Sequence, residues 1–237
     1  MFRIYLIKRK LAQKISKILW AGHVLSRIKA FLNSSQHRVV KHNTKIVLEG
    51  PPRCGNSSAL RLVIRNNKYY LNKIATHIHR PFQIYYGIKF GIPMVIMLRN
   101  PSMSCVSHAS LLIQLKQVKI SNNKQKEQLL FQCFSEYIDF LNLLIKYNFK
   151  NILIFEDYIK RPNLVIELLN SNYNLELDSN RSSHSTKESI HVYPSQERDE
   201  IKNQFEFIIQ DSKKLPKIIE EAQRLYKIAC KNKRSYY

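Results

Sequence analysis

The chain has 237 residues, of which 44% are hydrophobic, and this length suffices for one sizeable buried core. Its 39 lysine and arginine residues outnumber the 17 aspartate and glutamate residues, giving a formal net charge of +22, which favours an anionic ligand, polymer or membrane surface. The sequence shows no motif of a sequence-reading nucleic-acid-binding domain, so no specific nucleic acid is expected. The four cysteines stand singly without a Cys-x-x-Cys pair, which argues against a metal cluster and favours a reducing, cytoplasmic compartment.

The first 40 residues are basic and acid-free, since no acidic residue precedes Glu49. Interleaved apolar positions approximate one helical face: Leu11, Ile15, Ile18, Leu25, Phe31 and Leu32. This segment lacks the uninterrupted apolar run of about 18 residues that would span a membrane. We therefore expect residues 1–40 to form a basic amphipathic helical segment beside an α/β domain at 41–237. Its residues 1–35 either contact an anionic membrane or dock on that domain with their lysines in water.

The stretch from Ile46 to Arg61 reads as a buried strand, a tight Gly/Pro turn and the start of a helix. The spacing Gly50-x-x-x-x-Gly55-Asn56-Ser57 is that of a nucleotide-triphosphate loop in which asparagine replaces the lysine. Backbone N–H groups and the helix dipole stabilise an anion at such a helix N-terminus. The positive charge lies inside the turn, at Arg53, so the pattern predicts a phosphate-binding loop of unusual charge placement.

Two further predicted strands end in chemically useful side chains. The first, Tyr69 to Ile74, leads to His77 and His79, and spacing alone cannot choose between these two as a general base. The second, Met94 to Leu98, ends at Arg99 and is followed by Asn100-Pro101 and a helix that carries Ser107. A guanidinium and a hydroxyl are suited to holding a phosphate group.

Downstream, the spacing of apolar residues from Lys124 onward predicts a long amphipathic helix whose aromatic residues belong to the core. A short apolar strand from Asn151 then leads into Glu156-Asp157. This acidic pair is interpreted as structural, although an NTPase would place a metal-binding acid in such a position. The alternation of strands and helices predicts parallel βαβ units.

Taken together, these blocks resemble the sulfotransferase family over most of positions 45–163. The matching residues are Pro52-Arg53-Cys54-Gly55-Asn56-Ser57, then His77, then Arg99-Asn100-Pro101 with Ser107 eight positions after the arginine, then the strand followed by Glu156-Asp157. The resemblance implies a P-loop nucleotide-binding-like three-layer fold with a central, mostly parallel sheet. It also implies the donor 3′-phosphoadenosine-5′-phosphosulfate and a scheme that requires no metal.

Site roles follow from the resemblance. The loop residues Pro52, Arg53, Cys54, Gly55, Asn56, Ser57 and Ser58 would bind the 5′-phosphosulfate, with Arg53 neutralising charge on the leaving oxygen. Arg99 and Ser107 would hold the 3′-phosphate, and His77 would take the proton of the acceptor. Family members often carry lysine where Ala75 stands, and their C-terminal Gly-rich 3′-phosphate loop is not recognisable here, although Arg181 and Lys187 are candidates for its role.

The predicted function is therefore sulfuryl transfer to a hydroxyl or amine, for which the basic surface suits an anionic glycan or lipid acceptor. Two alternatives stay open. A nucleotide kinase or NTPase is favoured by the loop spacing and disfavoured by Asn56. A catalytically degenerate protein that binds the donor or its bisphosphate product is favoured by Ala75 and the missing C-terminal loop.

Overall fold

A computed structural model describes residues 2–179 and 195–233 of the chain. In these ranges a sheet of four parallel strands forms in the order β2-β1-β3-β4. The strands are β1 (Ile46–Glu49), β2 (Ile74–Thr76), β3 (Met94–Leu98) and β4 (Ile152–Ile154). The prediction of an α/β fold with a central parallel sheet is confirmed.

Ten helices accompany the sheet in the described part of the chain. They are α1 (Phe2–Lys17), α2 (Leu19–Leu32), α3 (Asn56–Asn66), α4 (Pro81–Lys89), α5 (Pro101–Gln114), α6 (Asn123–Lys146), α7 (Phe155–Lys160), α8 (Leu164–Tyr173), α9 (Gln196–Asp211) and α10 (Leu215–Lys231). Helix α3 leads from β1 out to β2, whereas α4 leads back past β1 to β3. Because parallel crossovers are right-handed, α3 and α4 cover opposite faces of the sheet. Helix α8 contacts α3 and β3, and α6 contacts α4.

β1 and β3 are mostly apolar, which suits the two central positions of the sheet. Every residue of β1 and β3 is buried, as expected for parallel strands covered by helices on both faces. β2 is shorter than predicted, because a 3-10 turn at Lys68–Tyr70 and a left-handed Asn72 (φ +64°) interrupt the extended chain before Ile74. The strand prediction from Tyr69 was therefore wrong for its first residues.

The strand order also determines where a ligand fits. The connection that follows β1 runs to one side, to β2, and the connection that follows β3 runs to the other side, to β4, so the strand order reverses between β1 and β3. In open parallel sheets, ligands bind in the crevice beyond the carboxyl ends of strands at such a reversal. The predicted phosphate loop follows β1 and Arg99 follows β3, so both lie at the carboxyl ends of the two strands between which the order reverses.

Gly50, the first residue after β1, is tightly confined by the neighbouring strand. A Cβ atom there would lie 2.1 Å from the Met97 carbonyl oxygen. We expect Gly50→Ala to lower the free energy of unfolding by about 3 kcal/mol or more, since backbone must move to relieve the overlap. Urea denaturation followed by circular dichroism measures the loss.

Gly91→Ala is the matched control. Its added Cβ would meet nothing within 4 Å, although its φ of +63° disfavours alanine. We expect a loss of about 1 kcal/mol from the backbone conformation alone. Equal losses in the two variants would contradict the close packing at Gly50.

Candidate functional site

The loop between β1 and α3 is held in shape by its own side chains. Arg53 (φ +68°) and Gly55 (φ +92°) both adopt left-handed backbone conformations, which turn the chain sharply into the helix. The buried Asn56 side chain donates from Nδ2 to the carbonyl oxygens of Gly50 (3.3 Å) and Pro51 (3.0 Å). Asn56 thus stabilises the loop through its side chain. Because the side-chain N–H groups are used in these bonds, the main-chain N–H is the group that could bind a ligand.

Helix α5 anchors the outer side of the same loop. Ser104 Oγ donates to the Pro52 carbonyl oxygen at 2.6 Å, and Cys54 Sγ lies 3.6 Å from Ser104 Oγ inside the core. Burial raises the pKa of the Cys54 thiol to about 11, so it is neutral at pH 7. Cys54 is therefore a packing residue rather than a nucleophile. Its side chain lies in the core, and only its main chain contributes to the loop.

The structure brings together the cationic residues of two separate motifs. Arg53 Nε donates to Ser107 Oγ at 3.1 Å, and Arg99 Nη1 donates to the Arg53 carbonyl oxygen at 3.4 Å. The guanidinium of Arg99 stacks 4.4 Å from the centre of the Phe155 ring. Its buried Nε has no hydrogen-bond partner among the described residues.

Tyr137 on α6 holds the main chain of Arg99 in place. Its hydroxyl donates to the Arg99 carbonyl oxygen at 2.5 Å and accepts from the Arg99 N–H at 3.4 Å. The main chain at the end of β3 is therefore held by the long helix that the sequence predicted.

A third arginine, which the sequence did not reveal, joins this cluster. Arg198 on α9 is only 2% exposed, and its Nε donates to Gln114 Oε1 at 2.8 Å. Burial lowers the pKa of Arg53, and the positive charges of Arg198 and Arg99 lower it further. Three guanidinium groups thus converge on one region. The other C-terminal candidates, Arg181 and Lys187, lie outside the described residues.

The two histidines after β2 have different environments. His77 Nε2 lies 2.8 Å from Ser57 Oγ, at the start of α3. Burial of its ring, helped by the charge of neighbouring His79, lowers the pKa of His77 to about 4. A neutral imidazole with a free ring nitrogen is able to accept a proton at pH 7.

His79 is instead bound to the end of β1. Its Nδ1 donates to the Gly50 carbonyl oxygen at 2.6 Å and lies 3.4 Å from Glu49 Oε2. Although burial lowers the pKa of His79, the hydrogen bond and charge of Glu49 outweigh burial and raise it. Glu49 is fully buried and also accepts hydrogen bonds from the N–H groups of Ile78 (2.8 Å) and His79 (3.3 Å). His79 therefore braces the loop, and His77 faces the helix N-terminus.

Glu156 and Asp157, the acidic pair after β4, do not act together at the loop between β1 and α3. Glu156 is exposed, and Asp157 Oδ2 forms an ion pair with Lys233 Nζ at 3.2 Å. Between them and the loop, Tyr158 donates its hydroxyl to Ser58 Oγ at 2.9 Å. Across residues 2–179 and 195–233, no group of three His, Cys, Asp or Glu side chains is placed to hold a metal ion.

The environments of the two histidines predict separate titrations. In a histidine NMR titration we expect the His77 ring to titrate near pH 4 and the His79 ring above the ordinary value of 6.5. The variants His77→Gln and His79→Gln assign the two signals. Two rings titrating together near pH 6.5 would contradict the distinct placements.

Comparison of the chain with protein-family models, curated proteins and solved structures finds no significant match. Its function is therefore inferred from the chemistry of the site.

Proposed function

We propose that the chain is a P-loop sulfotransferase that takes its sulfuryl group from 3′-phosphoadenosine-5′-phosphosulfate. The observation that carries this proposal is the convergence of Arg53, Arg99 and Ser107 beside the N-terminus of α3. These residues come from two loops at the strand-order reversal, where the fold places a ligand crevice. Their chemistry suits a ligand with two separate phosphate-bearing ends.

Each end of the donor has a distinct set of partners in this proposal. The main-chain N–H groups from Gly55 to Ser58 receive the 5′-phosphosulfate at the helix N-terminus. Arg53 neutralises the charge that builds on the phosphate oxygen as its bond to sulfur breaks. Arg99 and Ser107 hold the 3′-phosphate, and Arg198 adds positive charge to that region.

His77 supplies the base. The acceptor hydroxyl transfers its proton to the ring as its oxygen bonds to sulfur, and the sulfur–oxygen bond to the 5′-phosphate breaks in the same displacement. The contact with Ser57 places the ring beside the helix N-terminus where the sulfuryl group would lie. Because its depressed pKa keeps the ring neutral, the base is available over the whole neutral pH range.

The kinase alternative has weaker support at this site. Asn56 occupies the position of the NTPase lysine, and its side chain is engaged with the loop carbonyls. Asp157 is engaged by Lys233. A phosphoryl-transfer site needs a lysine and magnesium-binding acids around the phosphates, and neither of these side chains supplies them.

A protein that binds the donor without turnover is the second candidate. The observation that favours it is Ala75, which is fully buried in β2 opposite Val47 where sulfotransferases often have lysine. No cation can come from this position. Donor binding without transfer would establish this candidate in place of the enzyme.

The first test is ligand choice. We expect adenosine 3′,5′-bisphosphate to bind without Mg²⁺ and more tightly than ATP. Loss of a hydrogen bond to a charged group costs about 1.5–3 kcal/mol, so Arg99→Ala should weaken the bisphosphate roughly ten- to hundredfold. The same variant should leave adenosine 5′-phosphate almost unaffected, because that ligand lacks the 3′-phosphate. Isothermal titration calorimetry measures all three ligands.

Arg224→Ala is the control, since it also removes one positive charge but lies on the exposed side of α10. Its bisphosphate affinity should equal that of the unaltered chain. Tighter, Mg²⁺-dependent binding of ATP would overturn the sulfotransferase proposal in favour of the kinase.

The second test separates chemistry from binding. We expect His77→Ala to keep its bisphosphate affinity and to lower sulfuryl transfer about a hundredfold or more, the usual scale for a general base. Transfer is measured with radiolabelled donor and a host-cell extract as the source of acceptors. His79→Ala serves as the comparison and should mainly lower the melting temperature, because it leaves the buried Glu49 carboxylate without its cationic partner. Unchanged transfer in His77→Ala would exclude His77 as the base.

A further inference from the structure

The inward sides of helices α1 and α2 hold both polar and apolar side chains, and their outward sides carry many large apolar ones. Gln13, Ser16 and His23 are buried, whereas Trp20 is 67%, Phe31 68% and Leu32 75% exposed. The exposed large apolar side chains of the two helices and their junction are Ile4, Ile7, Leu11, Ile18, Trp20, Val24, Leu25, Ile28, Phe31 and Leu32. A monomeric soluble protein rarely leaves so many neighbouring apolar side chains in water.

The inward face is occupied by specific polar contacts. Arg9 Nε forms an ion pair with Glu136 Oε1 at 2.7 Å, and Gln13 Nε2 donates to Asp139 Oδ2 at 2.6 Å. Near the junction, Lys17 Nζ lies 3.0 Å from Asp139 Oδ1. The charges of α1 therefore hold it against α6, and this orientation directs its apolar side away from the body.

The outward apolar side chains form regular stripes. Ile4, Ile7 and Leu11 follow the i, i+3, i+7 spacing of one helical face. On α2, Trp20, Val24 and Ile28 follow with a four-residue step, and Ile18 lies at the junction between the two helices. We call this set of exposed side chains on α1, α2 and Ile18 the apolar face.

Exposed cations accompany the apolar face. Those on the two helices are Arg3, Lys8, Lys10, Lys14, Lys17, Arg27 and Lys29. No acidic residue occurs in the chain before Glu49, so the two helices themselves supply no acid to these cations, although Lys17 pairs with Asp139 of α6. The methylene groups of lysine and arginine side chains beside an apolar stripe can lie at the edge of the lipid acyl chains. Their charged groups then remain among the lipid headgroups.

We propose that the apolar face lies in the interface of an anionic membrane, with α1 and α2 parallel to the surface. The apolar stripes match the acyl boundary, and the exposed cations match anionic headgroups. A second copy of this chain is a poorer fit, because its equally basic face would repel the first. Within the described residues, no helix is long and apolar enough to cross a membrane.

The same contacts link the membrane face to the candidate site. Arg9 Nη2 lies 3.1 Å from His108 Nε2, and His108 is the neighbour of Ser107 on α5. Helix α1 thus contacts α5, the helix that carries Ser107, which we propose binds the sulfuryl donor. If the proposed function holds, this attachment presents the site to acceptors displayed on the membrane; the membrane contact itself does not depend on that function.

Trp20 supplies an internal probe, because it is the chain's single tryptophan and belongs to the apolar face. The full chain is mixed with vesicles of phosphatidylcholine containing phosphatidylserine and with vesicles of phosphatidylcholine alone. We expect a blue shift of the tryptophan emission and co-sedimentation with the anionic vesicles. Both should weaken as salt is raised, because salt screens the headgroup charge.

A triple variant, Ile7→Ser, Leu11→Ser and Ile28→Ser, tests the apolar face without removing a buried contact. All three side chains are exposed, whereas deleting the segment would remove Phe2 and Leu6 from the core. We expect at least tenfold weaker vesicle partitioning and an unchanged melting temperature. Phe207→Ser is the matched control, since Phe207 is 68% exposed on α9, and it should partition like the unaltered chain.

Three results would overturn the proposal: no emission shift and no sedimentation at low salt, equal partitioning of the triple variant, or self-association that the triple variant abolishes without any vesicle binding. The last would assign the apolar face to a contact between copies. Bisphosphate calorimetry on the same samples distinguishes this failure from failure of the proposed function, because the donor-site residues are unaltered in the triple variant.

Discussion

The buried carboxylate of Glu49 is the interaction on which the candidate site depends. It ends β1, accepts N–H groups from the loop after β2, and pairs with His79. A buried charge without such partners is strongly destabilising, so the carboxylate determines the path of both loops. Burial of the His77 ring is the main cause that lowers its pKa, and the charge of His79 lowers it further, whereas the charge of Glu49 raises it. The Glu49–His79 pair therefore fixes the loop that carries the proposed base, and burial is the main reason that this base is neutral.

The converging arginines are the basis of the proposal that the site binds an anion. Burial lowers the pKa of Arg53, and the charges of Arg198 and Arg99 lower it further, because the three guanidinium groups repel one another. A bound anion relieves that repulsion, and binding to the folded state alone stabilises the fold. The asparagine in the loop is consistent with that proposal, because its neutral side chain stabilises the loop by binding two loop carbonyl oxygens, and the positive charge near the loop comes from the arginines.

Helix α1 illustrates how one helix can serve two surfaces. Its inward side combines the buried Phe2 and Leu6 with polar contacts to Glu136 and Asp139, and its other large apolar side chains are left outward. Amphipathicity by itself does not say which side of a helix faces the protein. Here the polar contacts of Arg9, Gln13 and Lys17 with the acids on α6 contribute to the choice, together with burial of Phe2 and Leu6.

The sequence by itself determined the elements whose signals are local: the strand, turn and helix around Gly50 and Gly55, the strand ending at Arg99, and the long helix beginning near residue 123. Hydrophobic runs and glycine positions act over a few residues and can be read directly. The tertiary structure alone decided which histidine faces the loop, because left-handed backbone at both His77 and His79 removes the alternation of an extended chain. It alone placed Arg198 beside Arg53, since these side chains are brought together by the packing of α9 on α5. It also decided which side of α1 faces inward, because that choice involves acids more than a hundred residues away.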